Sequence, residues 1–158
     1  MLLLLLRLGA DRYALDVRQI LEVIPVVKLK KIPHAPDWVA GMLSYRGRPT
    51  PVIDLCQLAQ GYPARPALSS RIVLVSYPDG NGAARVLGLI TEQATEVVRR
   101  DESQFRDGGI HLSEGPYLGR LISDSEGMIQ EIEVEPLLPE AVKELLFGER
   151  EAVDATLA

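Results

Sequence analysis

The chain has 158 residues, of which 47 % are apolar and 25 % charged, and carries a formal net charge of −5. This composition suits one globular domain, or two small subdomains sharing a core, and an acidic balance argues against a nucleic-acid binder, which shows a basic face. The single cysteine, Cys56, excludes an internal disulfide framework.

The apolar run Leu2 to Leu6, followed by Arg7 and Leu8, opens the chain. It has no basic segment before it and no small-residue cleavage site after it, and it is far shorter than the roughly 20 residues of a membrane span. It reads as a buried strand stopped by Gly9, in a cytoplasmic protein without direct membrane insertion. Tyr13, Leu15 and Val17 alternate with Ala14 and Asp16, giving a second strand with one buried face. Residues 17–20 turn briefly before a strand at Leu21 to Ile24, which Pro25 ends. Between Val26 and Ile32, Lys28, Lys30 and Lys31 are interleaved with Val27 and Leu29, the pattern of a half-exposed edge strand. Asp37 then caps a single helical turn, Trp38 to Ala40, that ends at Gly41. Trp38 packs on the side of the first sheet.

Gly41 to Leu55, GMLSYRGRPTPVIDL, reads as a hairpin that presents Arg46 at a fixed place. Gly47 supplies the positive φ of a tight reversal. Pro49 and Pro51 lack a backbone donor, which marks the returning strand as an edge or a bulge. Leu55 begins a short apolar turn through Leu58, in which Cys56 is a small packed residue. The Gly-, Pro- and Ser-rich stretch 60–70 is a connector, near which a subdomain boundary is expected.

Ile72 to Val75 is a strand, Tyr77 to Gly82 a hairpin turn, and Arg85 to Ile90 its partner, which Ala94 to Val98 extends. Gly88 interrupts that partner strand, the mark of a bulge or close backbone approach. Arg99 to Glu102 leaves the sheet, and residues 103–116 are irregular. Tyr117 to Ile122 is a further strand. Met128 to Val134 is the last, with Glu131, Glu133 and Glu135 placed on an exposed face. Pro139 starts an amphipathic helix whose apolar positions are Ala141, Val142, Leu145 and Leu146, stopped by Gly148. Residues 149–158 read as a flexible tail. About ten short strands and one terminal helix make an all-β fold, a barrel pair or a sandwich.

The succession R-L-G-x-x-x-Y-A-L-D, I-L-E-V-I-P, P-H-A-P-D-W-V-A-G, R-G-x-x-x-P-V-I-D-L, V-L-G-L-I and E-V-E-P-L-L resembles, in order and spacing, the CheW-like domain family over roughly residues 3–146. The resemblance implies a domain at 1–148 built of two intertwined five-stranded SH3-like barrels, with an apolar seam between them and a short C-terminal helix. It implies no catalytic activity and no cofactor. The partners it implies are the regulatory domain of a CheA-type histidine kinase and the cytoplasmic tip of methyl-accepting chemoreceptors. Matched residue by residue, Ile20, Glu22, Val23, Gly41, Leu43, Arg46 and Val97 fall at receptor-binding positions. Ile72 and Gly88 fall at second-barrel positions assigned to kinase binding. Glu22 and Arg46 match acidic and basic positions that face one another.

Each position also has a plainer reading. Ile20, Val23, Leu43, Ile72 and Val97 suit a core, and Glu22 with Arg46 suits an exposed ion pair contributing about 0–1 kcal/mol. The chain departs from the family pattern at Ser44-Tyr45, where Asn and Leu are usual, and at Gln93, where Gly is usual. Gln130 and Glu131 replace apolar residues, which predicts a more solvated last strand. These departures suit an adaptor of an alternative, Wsp-type surface-sensing pathway, a kinase adaptor with little receptor contact. A homo-oligomer built through barrel-to-barrel contacts is a further reading. An enzyme finds no support: there is no metal-spaced His/Cys cluster, phosphate loop or G-x-S-x-G. The two histidines, His34 and His111, sit in Pro- or Gly-flanked segments, and Asp101-Glu102 reads as surface charge.

Overall fold

The computed structural model describes residues 1–79, 82–108 and 115–148. Strands β1 (Leu2–Leu8) and β2 (Asp11–Asp16) form a hairpin through Gly9, whose φ is +65°. A 3-10 turn at Val17–Gln19, capped by the Asp16 carboxylate, leads to β3 (Ile20–Pro25). Next come β4 (Val39–Tyr45), β5 (Arg48–Asp54) and helix α1 (Leu55–Gln60). The remaining elements are β6 (Arg71–Pro78), β7 (Ala84–Thr91), β8 (Gln93–Arg99), β9 (Leu118–Asp124), β10 (Gly127–Ile132) and helix α2 (Glu140–Phe147).

The strands make two five-stranded sheets, ordered β8-β1-β2-β10-β9 and β3-β6-β7-β5-β4. Both follow one path: two antiparallel pairs, one parallel pair (β10 with β2, β5 with β7), then a final antiparallel pair. The second sheet is contiguous in sequence and lies between β2 and β8 of the first, so the two units are intertwined. In each, a two-bond bridge spans the gap between the edge strands. Lys30 and Met42 exchange bonds of 2.9 and 2.7 Å in the second unit, and Arg106 and Leu121 exchange bonds of 2.8 and 2.7 Å in the first.

Strand alternation explains the core. Leu4, Leu6 and Leu8 of β1 join Val73, Val75 and Tyr77 of β6 and Leu87 and Leu89 of β7 in a seam between the sheets. Leu3 joins Ala14, Phe105, Ile122 and Ile129 in the interior of the first unit, with Leu5 packed beside them. Ile72 and Leu74 join Val52 and Ile90 in the interior of the second. A strand buried on both faces shows a continuous apolar run rather than alternation, which is why β1 is leucine-rich.

Several expectations change. Residues 26–32 are not a strand: Pro25 ends the ladder and only Lys30 pairs again. Trp38 to Ala40 is not a helical turn, because β4 begins at Val39 and the Trp38 carbonyl accepts from the Asp54 N–H at 2.7 Å. Ladder bonds along a whole strand outweigh one turn of helix. Strand β5 is not an edge; it lies between β4 and β7. In a two-residue hairpin the closing pair, here Tyr45 with Arg48, exchanges hydrogen bonds and pairs alternate from there. Pro49 and Pro51 therefore fall at positions not bonded to β4, and β7 covers only Val52 to Asp54.

Tyr77 is no turn residue. Strand β6 runs through Pro78, and the buried Tyr77 ring stacks on Phe147 at 5.6 Å while its hydroxyl donates to the Glu135 carbonyl at 3.1 Å. On α2, Val142, Leu146 and Phe147 pack inward while Ala141 and Leu145 are exposed. The stretch 84–99 is two strands in different sheets, divided at Glu92. The connector 61–70 joins α1 to β6 within the second unit, so the chain changes sheets at 17–19 and at Glu92 instead. Glu131 is buried rather than solvated, because Arg120 donates to both its oxygens at 3.1 and 3.3 Å. Gly80, Asn81, His111 and the tail 149–158 lie outside the described residues.

Candidate interaction surface at the edge of the second sheet

The β4–β5 hairpin turns on two residues with positive φ, Arg46 at 52° and Gly47 at 79°. Two such residues make a type I′ turn, whose twist matches its strands. Arg46 sits where a side chain costs energy, and the turn fixes the direction in which that side chain leaves the sheet.

The turn faces β3 across the gap between the edge strands. Glu22 of β3 accepts a hydrogen bond from the Tyr45 hydroxyl at 3.0 Å and lies 3.6 Å from the Arg46 guanidinium. Arg46 also covers the Tyr45 ring, 5.3 Å from its centroid. Partial burial, then the bond to Glu22, raises the Tyr45 pKa above its usual value. The Arg46 side chain is 78 % exposed and that of Glu22 43 %, so the pair is worth at most about 1 kcal/mol. At the other end of the same gap stands the Lys30–Met42 bridge. Gly41, with φ of +144°, permits it: a Cβ there would lie 2.5 Å from the Lys30 carbonyl oxygen.

Eight of the nine site residues read from the sequence belong to this unit. Glu22 and Arg46 meet directly. Leu43 packs on the interior cluster that contains Ile72. Ile20 is paired with Val75 and packs on the seam, whereas Val23, paired with Val73, leaves its side chain exposed. Ile72 is fully buried, so its side chain fills the core and presents no surface to a partner. Gly88 lies beneath it, where an added Cβ would come within 2.9 Å of Val52 and 3.0 Å of Ile72. Val97 is apart from these residues, 55 % exposed on β8 at the edge of the first sheet.

An open groove of about 420 Å³ lies where the chain passes from the first unit to the second, lined by Met1, Leu2, Asp16, Val17, Arg18 and Glu102. Glu102 pairs with Arg120 at 2.9 Å, and Asp101 caps the adjoining 3-10 turn, Glu102–Gln104. Cys56 is buried in α1, and burial pushes its thiol up to about 12, far from a thiolate nucleophile. Sequence reading missed Tyr45 as the partner of Glu22, having marked it only as a departure from the family pattern. The exposure of Leu21, Val26 and Val27 went unnoticed too, since the first was read as part of the strand 21–24 and the other two as part of a strand at 26–32.

Comparison with known proteins agrees with this architecture. The model of the CheW-like domain matches residues 2–142. The chain is 27 % identical over 139 residues to the chemotaxis protein CheW of Klebsiella aerogenes, covering 85 % of this chain and 80 % of that protein. It is 27 % identical over 93 residues to the chemotaxis protein CheW of Helicobacter pylori, covering 58 % of this chain and 53 % of that protein, about half its length. The crystal structure of the scaffolding protein TtCheW from Thermoanaerobacter tengcongensis superposes with a TM-score of 0.76 at 24 % identity, covering 96 % of this chain and 92 % of that one. Two intertwined β units, an apolar seam and a match over nearly the whole chain make this protein a member of the CheW-like domain family.

Proposed function

We propose that the chain is a non-enzymatic chemosensory adaptor that joins the regulatory domain of a CheA-type histidine kinase to the cytoplasmic tip of chemoreceptors. The observation that carries this reading is the Glu22–Tyr45–Arg46 group. Arg46 is exposed at the turn of the β4–β5 hairpin and faces Glu22 of β3, the two charged positions the family pattern marks, with Tyr45 bonded to Glu22 beside them, in a chain whose relatives are chemotaxis and scaffolding proteins. The groove at the junction of the two units, with Met1, Leu2 and Val17 beside Asp16, Arg18 and Glu102, is a second place where an amphipathic helix tip could lie. Val23, Leu43, Arg46 and Val97 are the residues assigned to the receptor side, with Ile20, Glu22 and Gly41 shaping it. Ile72 and Gly88 support the kinase side from within the core. Among the described residues no helix is long and apolar enough to cross a membrane, and the adaptor is assigned to the cytoplasm, reaching receptor arrays through its partners. Weak individual contacts suffice in an array, where multivalency raises the effective concentration.

Calorimetric titration with the regulatory domain of the histidine kinase encoded beside it, then with a receptor hairpin fragment, tests the reading. Micromolar or tighter binding to both supports it. Binding to the kinase alone selects an adaptor with little receptor contact. A folded protein that binds neither overturns the reading.

A further inference from the structure

The segment 61–70 is held to the molecule mainly by polar contacts, with two carboxylates at its middle, rather than by a core. Of its side chains only Ala64 packs against buried apolar residues, and Leu68 is 98 % exposed. Along its middle, Ala64 N–H donates to Asp54 Oδ2 at 2.9 Å and Arg65 N–H donates to Glu92 Oε2 at 3.3 Å, while its ends are tied by Gly61 N–H to the Gln57 carbonyl and by Arg71 Nη1 to the carbonyls of Leu68 and Ser70. The Ser69 hydroxyl adds a bond to the Glu92 carbonyl at 3.2 Å. Tyr62 lies over the β1–β2 turn, where its hydroxyl occupies the space a side chain at Gly9 would need.

Glu92 is the single residue between β7 and β8, where the chain crosses from one sheet to the other. Its second oxygen, Oε1, accepts from Gly9 N–H at 2.6 Å and from the Cys56 thiol at 3.4 Å. One carboxylate thus joins the β1–β2 turn, α1, the 61–70 segment and the crossing, and the thiol lies one carboxylate away from the segment's backbone. A segment with few apolar contacts, held by polar bonds that are exposed or only partly buried, is the kind that opens on its own, below the free energy of global unfolding. We propose that residues 61–70 are a strap that opens as a local unit, latched by Glu92, with the thiol of Cys56 behind it.

Because Cys56 is the only cysteine, thiol labelling reports this opening without ambiguity. The wild-type chain is labelled with a disulfide reagent at one fixed, mildly alkaline pH over a series of low denaturant concentrations. Local opening predicts a slow labelling rate that is almost insensitive to denaturant and faster than global unfolding allows. Glu92→Gln sets an amide donor against the N–H groups that the carboxylate now accepts. It is expected to raise the denaturant-independent rate about tenfold, the effect of losing charge-assisted hydrogen bonds. Ser69→Ala removes only the strap's bond to the Glu92 carbonyl and is expected to raise the rate severalfold, which keeps the test decisive if Glu92→Gln also loosens the whole fold. Labelling of all three proteins only in step with global unfolding overturns the proposal.

Discussion

Glu22 accepts the Tyr45 hydroxyl at 3.0 Å across the gap between β3 and β4, the two edge strands of the second sheet. The contact joins the β4–β5 hairpin to β3 and holds the carboxylate beside Arg46, 3.6 Å away. Stability and recognition separate cleanly here. Arg46→Ala removes an exposed ion pair and should change stability by less than about 1 kcal/mol. Arg46→Gly removes the same side chain but also the strain of a φ of 52°, so it should melt above Arg46→Ala, the gain reaching about 1 kcal/mol. Both should weaken receptor binding in titration. A large fall in melting temperature with binding intact would show that the residue is structural.

Gly88→Ala should act through packing alone. The added methyl meets Val52 and Ile72, both fully buried, at 2.9 and 3.0 Å. Both buried side chains would have to shift, and overpacking of this kind costs about 1–3 kcal/mol. The variant should unfold at lower denaturant with an unchanged slope, and kinase binding should fall only as the folded fraction falls. Weaker binding by fully folded protein would instead give Gly88 a direct share in the interface.

How far the sequence speaks depends on whether a residue's role is local. The leucines of β1 and the Arg46-Gly47 turn were legible because burial pattern and turn chemistry are written within a few residues. Tyr45 and Glu22 are 23 positions apart, and their bond depends on two edges of a sheet that only the complete topology brings together. Alternation placed Glu131 in solvent, since the charge that accompanies it inside, Arg120, comes from the neighbouring strand. Glu92 carries no pattern at all: a one-residue crossing between sheets looks like the middle of a long strand. The lysine run 28–31 had the right alternation for a strand but lies between Pro25 and Pro33, which leave it one bridge.

Stability should rise with pH in the acid range, and Asp124 should account for part of the slope. Hydrogen bonds from the Arg12 side chain at 2.6 and 3.0 Å, with a further bond from the Glu126 N–H, hold its pKa down to about 2. The unfolded carboxylate takes up its proton near 3.8, its unperturbed value. Between these values the unfolded chain binds more protons than the folded one, so stability contributed by Asp124 is fully present above about pH 4 and is lost as pH falls toward 2. Urea midpoints measured across that window should slope upward with pH, and Asp124→Asn should flatten the slope. An unchanged slope in the variant would assign the acid sensitivity to other carboxylates, Glu92 among them, whose pKa is also lowered by accepting from Gly9, Cys56 and Arg65 against the opposing effect of burial.

Arg120 of β9 is expected to matter more than a surface arginine. It donates through Nε and Nη2 to Glu131 and through Nη1 to Glu102, and its guanidinium lies 4.4 Å from the centroid of the Phe105 ring. The Glu131 side chain is only 10 % exposed, so losing its partner leaves a largely desolvated carboxylate without compensation. Breaking a fully buried pair costs about 3–5 kcal/mol, and the partial exposure of Arg120 reduces this to about 2 kcal/mol for Arg120→Leu. Replacing both members removes the stranded charge, so Arg120→Leu with Glu131→Leu should recover a good part of that loss. Chemical denaturation of the two single variants and the double variant completes the cycle. Strictly additive losses would mean that the two side chains do not stabilise one another, and that Glu131 is held by the packing of β10 alone.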